Sequence, residues 1–431
     1  MAAAGAAVSD ATLRRLNQLA RELPEEVMYP ERCRSKRLIH FSFEEVVRLF
    51  DHDLTDEQVT VVLYRDPALW CPYCQRLQFF LEEKRLPYRT VHIPMWCYET
   101  GENPKPQWYM QMVPSGLLPA VKLLDTDQIL IESLAIMQFL QADPRFAQYG
   151  NPRAVANEAE DARVASLVRM ERELFSDWLR YLTGPPAMAS VLRRAFFAAM
   201  DKVERALAAS PTAPFFSAPL SSDGEGPGFV DCLIAPFLER IEFTMPFWKG
   251  IEIRNNPKWP CLERWYKAIE ARPGYLKGNA YSTVFNLPPQ VGRHTTAESE
   301  RAAAAPFRDQ VLNEARRLKF EPVEGDDDNA RRIREARHEA GAALIRNFAR
   351  VVRDMKRTCV DDDDSPGDDI SRAMYAIAEL LVRGNAATVE KVTNPTTRRA
   401  LEHIRERVCV PRDLRTMPAQ QFQAAVNHLL Q

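Results

Sequence analysis

Between Val59 and Gln141 short apolar runs alternate with amphipathic stretches, and the alternation predicts an α/β order. Val59-Thr60-Val61-Val62-Leu63-Tyr64 is rich in β-branched residues and reads as a buried strand. A loop follows, and a helix starts near Pro72, because proline is well tolerated in a first turn. Tyr73, Leu77, Phe80 and Leu81 share one face of that helix, and Pro87 stops it. Residues 88–93 read as a second strand, and a short helix falls near Trp108. Residues 120–124 and 128–131 form a hairpin around Asp125-Thr126-Asp127, and a helix over 133–141 has Ser133 near its N-cap. The sum is β-α-β-α-β-β-α, the order of an α/β thioredoxin-like domain over 59–141.

The flanks carry a different pattern. Residues 1–58 form an N-terminal extension with helical spacing at 13–23 and 43–50, expected to pack on the first domain. Residues 151–285 read as an all-helical domain, with long amphipathic stretches at 163–182 and 188–209. A Ser/Gly/Pro loop precedes Gly228-Phe229-Val230-Asp231, which opens an apolar helix, and Arg272-Pro273-Gly274 ends the next one. After a linker at Leu287-Pro288-Pro289, residues 290–431 make a further helical extension of three to five helices, broken by acidic loops at 324–329 and 361–369. No motif assigns that extension a role.

Composition narrows the class. Lys and Arg total 57 against 59 Asp and Glu, so the net charge of −2 gives no reason to expect a nucleic-acid or membrane-surface partner. No apolar run has the length of a membrane span. The segment from Met1 to Ser9 lacks the basic region and apolar core of a secretory signal. Glu22, Glu25 and Glu26 sit where a transit peptide would avoid acids. Of the eight cysteines only Cys71 and Cys74 are closely spaced, which fits a reducing compartment rather than a disulfide framework.

Cys71-Pro72-Tyr73-Cys74 therefore carries the chemistry. A cysteine at a helix start has unpaired amides around it, and such thiols fall to pKa values of about 3.5–7.5. Cys71 is the expected nucleophile and Cys74, one turn deeper, the resolving thiol. A metal site would need two more ligands; Cys97 and His92 are nearest, and no second CxxC or HxxxH exists. The acidic run 361–369 fails as a calcium loop, because Pro366 and Ala373 fall on ligand positions. Pro119, just before the third strand, is a cis-proline candidate facing the cysteines, and would leave the Leu118 backbone open to a peptide-like ligand. Glu132-Ser133 offers a carboxylate to an ammonium and a hydroxyl and amide to a carboxylate, or is simply a helix cap.

The stretch from Trp70 to Leu140, with its CPYC, Pro119 and Glu132-Ser133, resembles the cysteine-containing branch of the glutathione transferase superfamily. The helical region behind it, with Gly228-Phe229-Val230-Asp231 and Trp265, is similar to that superfamily's second domain. Tyr64-Arg65-Asp66, Gln75-Arg76, Met95-Trp96-Cys97-Tyr98 and the segment Val113 to Ala120 look most like the iota class of photosynthetic organisms. The residue spacing leads to no metal being expected, and the resemblance implies glutathione as co-substrate. It makes Cys71 the catalytic thiolate and pairs Leu118, beside cis-Pro119, with the cysteinyl unit. It places the γ-glutamyl end at Glu132 and Ser133 and the glycyl carboxylate at Lys105. Two departures stand out: Gly228 replaces the usual capping Ser or Thr, and most cysteine classes lack Cys74. The expected function is glutathione-dependent thiol transfer. Conjugation to electrophiles, or a non-catalytic ligand-binding or assembly module, are the alternatives. Expected partners are glutathione and small or glutathionylated substrates, with a homodimer and a protein partner on 290–431 left open. The cytoplasm or chloroplast stroma is the expected location.

Overall fold

The computed structural model describes residues 8–28, 46–50, 52–67, 69–93, 105–150, 158–280, 283–284, 296–359, 367–386, 389–408, 410 and 414–431. Cys33, Cys97, the Met95 to Tyr98 motif, the Pro288-Pro289 linker and residues 361–366 of the acidic loop lie outside them. The chain divides into two units, residues 41–308 and a second made of residues 1–40 with 309–431.

The first unit is built on a five-stranded sheet in the order β1-β3-β2-β4-β5, where β1 is Val46–Arg48, β2 Val61–Arg65, β3 Tyr88–His92, β4 Ala120–Leu123 and β5 Ile129–Ile131. β2 and β3 run parallel because the helix Pro72–Lys84 carries the chain between them; the other pairings are antiparallel. Every residue of β2 is buried, as a central strand covered on both faces requires. Pro72 is the first helical residue, and Arg85 in the left-handed region ends the helix two residues before Pro87. The thioredoxin-like order read from the sequence is thus present.

β1 corrects the expectation of a helix over 43–50. Val46 faces Thr90 and Arg48 faces Tyr88 across an antiparallel ladder, and Arg48 donates to Glu82 at 2.8 and 3.0 Å. A short run such as Val46-Val47-Arg48 suits either element, and the free edge of β3 decides it.

The all-helical part comprises Glu158–Thr183, Ala189–Ala208, Phe229–Lys249 and Pro260–Glu270. Trp178, Leu233, Phe237, Trp259 and Trp265 fill a core continuous with Leu77, Phe80 and Leu81 of the helix Pro72–Lys84. Trp178, Tyr181 and Phe247 are buried as well. Buried Asp231 organises the entry to the third of these helices. Its carboxylate accepts from the amides of Phe216, Ser217 and Gly228 and from the Trp265 indole, at 2.8 to 3.2 Å. The missing capping hydroxyl is replaced from outside the helix: Ser217 Oγ accepts from the Val230 amide at 3.1 Å. That arrangement requires glycine at 228, since a Cβ there would lie 2.3 Å from both Ser217 Oγ and the Ala218 carbonyl.

The second unit contains the helices Asp328–Cys359, Gly367–Arg383, Pro395–Arg407 and Thr416–Leu430, and the later part of Glu298–Arg316. Five helices beyond residue 290 are therefore present among the described residues. The helix Asp10–Ala20 packs on Gly367–Arg383 and Asp328–Cys359 within this unit. For residues 10–28 this corrects the expectation that residues 1–58 pack on the first domain, whereas Val46–Arg48 does join that domain's sheet. Leu16 and Leu19 are buried, Arg15 stacks 4.0 Å from the Tyr375 ring centre, and Arg383 pairs with Glu22 at 2.6 Å. Arg346 donates to the carbonyls of Val27 and Met28 at 2.9 and 3.0 Å, closing the short helix Glu25–Met28. No described helix is long and apolar enough to cross a membrane.

Candidate active site

β2 ends at Arg65, and a tight turn leads to the helix that starts after Cys71. Asp66 shapes the turn: its Oδ2 accepts from the Trp70 amide at 2.8 Å, and Arg65 Nε donates to the Asp66 carbonyl at 3.0 Å. Cys71 is the N-cap residue in extended conformation, and its carbonyl accepts the first helical bond from Gln75 at 3.0 Å. Cys71 and Cys74 are both buried, 4% and 0% exposed.

The two thiols differ electrostatically. A hydrogen bond from the Cys74 thiol is the main cause that lowers Cys71 below its ordinary value; the Cys74 and Tyr73 amides assist, while burial and the Asp66 charge oppose. Burial first, and then donation of its hydrogen bond to Cys71, raise Cys74 well above the ordinary value. One thiol is thus poised to ionise at the expense of the other, as an attacking and a resolving sulfur require. The Asp66 carboxylate and both sulfurs lie within 4.8 Å of one another. Asp66 is the third potential metal donor that the sequence reading did not find.

The Leu118-Pro119 peptide is cis, and the Leu118 carbonyl lies 3.9 Å from Cys71 Sγ. Among the described residues the Leu118 amide has no hydrogen-bond partner. Tyr109 holds this loop by donating to the Leu117 carbonyl at 2.6 Å. Gly116, at φ +64°, lets the side chains of Met110 and Lys105 fold across it. Lys105 is half-buried; burial lowers its pKa while the two sulfurs pull it up, which places its charge within their reach. Glu132 is exposed at φ +67° and is the N-cap residue of the helix Ser133–Ala142, so Ser133 is its first helical residue and not the cap. Ser133 is buried, and its Oγ accepts from Arg76 Nε at 2.8 Å.

The helical domain reaches into the same site. Arg240, 3% exposed, donates to the carbonyls of Trp70 at 2.8 Å and Pro236 at 3.2 Å, and pairs with Glu239 at 2.7 Å. Gln75 donates to Glu239 at 3.1 Å and to the Leu276 carbonyl at 2.9 Å, and accepts from Arg240. Asp66, Arg76, Tyr109, Glu239 and Arg240 were not candidates on sequence grounds.

Comparison with known proteins agrees with this geometry. Residues 70–143 match the family model for the glutathione S-transferase N-terminal domain, and residues 153–268 the one for the C-terminal domain. The chain is 25% identical over 211 residues to pyrimidodiazepine synthase of Drosophila melanogaster, covering 48% of this chain and 76% of that protein. It is 25% identical over 211 residues to the probable glutathione transferase omega-2 of Caenorhabditis elegans, covering 47% of this chain and 75% of that protein. It is 33% identical over 129 residues to glutathione S-transferase DHAR2 of Arabidopsis thaliana, covering 27% of this chain and 57% of that protein. A thioredoxin-like domain with a cysteine at its helix start, followed by an all-helical domain, defines a cysteine-bearing transferase architecture. Residues 70–143 and 153–268 thus carry the N- and C-terminal domains of a glutathione S-transferase.

Proposed function

We propose that this chain, an enzyme of the glutathione transferase and thiol-oxidoreductase kind, performs thiol transfer with Cys71 as the attacking thiolate. The carrying observation is the split between two adjacent thiols, Cys71 lowered and Cys74 raised, opposite the Leu118 carbonyl. In this reading Cys71 attacks the glutathionyl sulfur of a mixed disulfide, forming the Cys71–glutathione disulfide and releasing the substrate thiolate. A second glutathione thiolate then attacks, yielding oxidised glutathione and regenerating Cys71. Cys74 offers a second exit, in which its thiolate displaces glutathione and leaves a Cys71–Cys74 disulfide. The names of the omega and DHAR relatives favour reductase chemistry of this kind.

Within the reading, Leu118 pairs through its backbone with the cysteinyl unit, and Pro119 keeps that backbone turned to the ligand. Glu132 meets the γ-glutamyl ammonium, Ser133 its carboxylate, and Lys105 the glycyl carboxylate. The iota class, in a photosynthetic organism, is the proposed assignment, with a location in the cytoplasm or chloroplast stroma.

The test is glutathione-dependent reduction of a small mixed disulfide by wild type, Cys71→Ser and Cys74→Ser. Cys71→Ser should lose at least 100-fold, and Cys74→Ser should keep the route through a second glutathione. Equal rates for wild type and Cys71→Ser would remove Cys71 from the mechanism. Conjugation to 1-chloro-2,4-dinitrobenzene exceeding disulfide reduction would move the assignment to the transferase alternative.

A further inference from the structure

Arg76 reaches the site from the thiol helix, and its hydrogen-bonding partner there is Ser133. Its guanidinium lies over the rings of Tyr73 and Phe237, 4.9 and 5.6 Å from their centres. One nitrogen, Nε, donates to Ser133 Oγ at 2.8 Å, and another lies 3.7 Å from the Glu171 carboxylate of the helical domain. Arg76, Ser133 and Glu171 are all more than nine-tenths buried.

A serine hydroxyl has one proton to give and lone pairs to receive. Arginine has only donors, so the contact with Arg76 uses a lone pair of Ser133 and leaves its proton unspent. Among the described residues nothing accepts that proton. A buried hydroxyl with its oxygen held by a guanidinium and its hydrogen unassigned is set to donate to an anionic acceptor. Glu132, next to it and exposed, has the opposite preference and suits a cation. Together they describe a receptor for a zwitterionic α-amino-acid group, ammonium on Glu132 and carboxylate on Ser133.

We infer that Arg76 is a specificity-determining residue of this subsite, acting through Ser133 to select ligands bearing an α-carboxylate. It fixes the direction of the Ser133 proton and supplies the positive charge behind it. The Glu171 contact and the stacking on Tyr73 and Phe237 hold the guanidinium where lysine could not make all the same contacts. The inference rests on the glutathione reading and names the group of glutathione that Arg76 detects.

The probes are glutathione and its analogue 4-aminobutyryl-cysteinylglycine, which lacks only the α-carboxylate. Dissociation constants are measured by calorimetry for wild type and Arg76→Met. Arg76→Met/Glu171→Gln is measured alongside, because it removes the buried carboxylate that the single change leaves unpaired. Wild type should prefer glutathione by at least 10-fold. The Arg76 variants should bind both ligands alike, near the wild-type affinity for the analogue, and Arg76→Lys should recover part of the preference. A full wild-type preference in a folded Arg76 variant would overturn the role of Arg76 while leaving the glutathione reading intact. Wild type that binds neither ligand would overturn the glutathione reading itself.

Discussion

Arg240 of the helical domain donates to the carbonyl of Trp70 at 2.8 Å, directly before Cys71. The peptide that sets the direction of Cys71 is therefore held by a residue 170 positions away. The same guanidinium pairs with Glu239, whose carboxylate also accepts from Gln75 and, at 2.5 Å, from Tyr275. The two domains thus share one buried polar network at the base of the thiol helix.

Arg240→Ala should reduce both stability and the reactivity of Cys71. Breaking a buried pair by removing one partner costs about 3–5 kcal/mol. In the fraction that remains folded, alkylation of Cys71 should slow, because Trp70 loses its anchor. Arg240→Lys should recover stability better than reactivity, since a single ammonium cannot serve Trp70, Gln75 and Glu239 together. Chemical denaturation and iodoacetamide kinetics separate the two effects.

The thiol of Cys71 should titrate below the ordinary cysteine value, with Cys74 the main cause. Alkylation follows the thiolate, so the rate rises with pH and levels off above the lowered pKa. Cys74→Ala removes the donor and should move the midpoint upward, slowing alkylation at neutral pH. Cys74→Ser keeps a donor and should shift it less. A midpoint indifferent to residue 74 would refute the coupling.

Lys84 is buried at the end of the thiol helix, and burial pushes its ammonium down to about 8. The unfolded chain holds that proton up to an ordinary lysine value near 10.4. Between the two values the unfolded state binds more protons, so this group makes stability rise with pH from about 8 to 10.4. Below about 8 the buried charge exerts its full cost. Lys84→Met should therefore stabilise the protein at pH 7, by about 2–3 kcal/mol at most, and the gain should shrink toward zero near pH 10.4. Melting curves of both proteins at pH 7 and pH 10 test the sign.

Ser217 and Gly228 form a cap in two pieces. Ser217→Ala should cost about 1 kcal/mol, the usual loss of a capping hydroxyl. Gly228→Ser, which restores the superfamily's customary residue, should be more destabilising than that, because its Cβ meets Ser217 and the Ala218 carbonyl. Denaturant midpoints for the two variants should rank Gly228→Ser below Ser217→Ala.

The parts of the fold that local chemistry dictates were legible in the sequence. Val61 and Val62 on a central strand, Pro72 at a first helical turn and the Asp125-Thr126-Asp127 hairpin each carry their own signal. The parts set by distant partners were not. Val46-Val47-Arg48 became a strand because β3 offered an edge. The helix Asp10–Ala20 advertised an apolar face but not the surface it would meet. The site divides in the same way: Cys71, Cys74, Pro119 and Ser133 sit in recognisable spacings, whereas Arg76, Glu239 and Arg240 acquire meaning only from the groups they touch. An arginine in an amphipathic helix ordinarily faces water, and nothing in its neighbours says otherwise.

The joining of residues 10–28 to the last helices has a consequence for synthesis. Leu16 and Leu19 leave the ribosome more than 300 residues ahead of the faces that cover them, which belong to Asp328–Cys359 and Gly367–Arg383. Until those helices are made, the leucines wait uncovered while residues 70–268 fold between them and their partners. Closing so long a loop has to wait for the helices Asp328–Cys359 and Gly367–Arg383, and exposed apolar surface is what chaperones exist to hold. Nascent chains arrested before residue 328 should therefore keep a chaperone on their first helix, and chains extended through residue 383 should shed it.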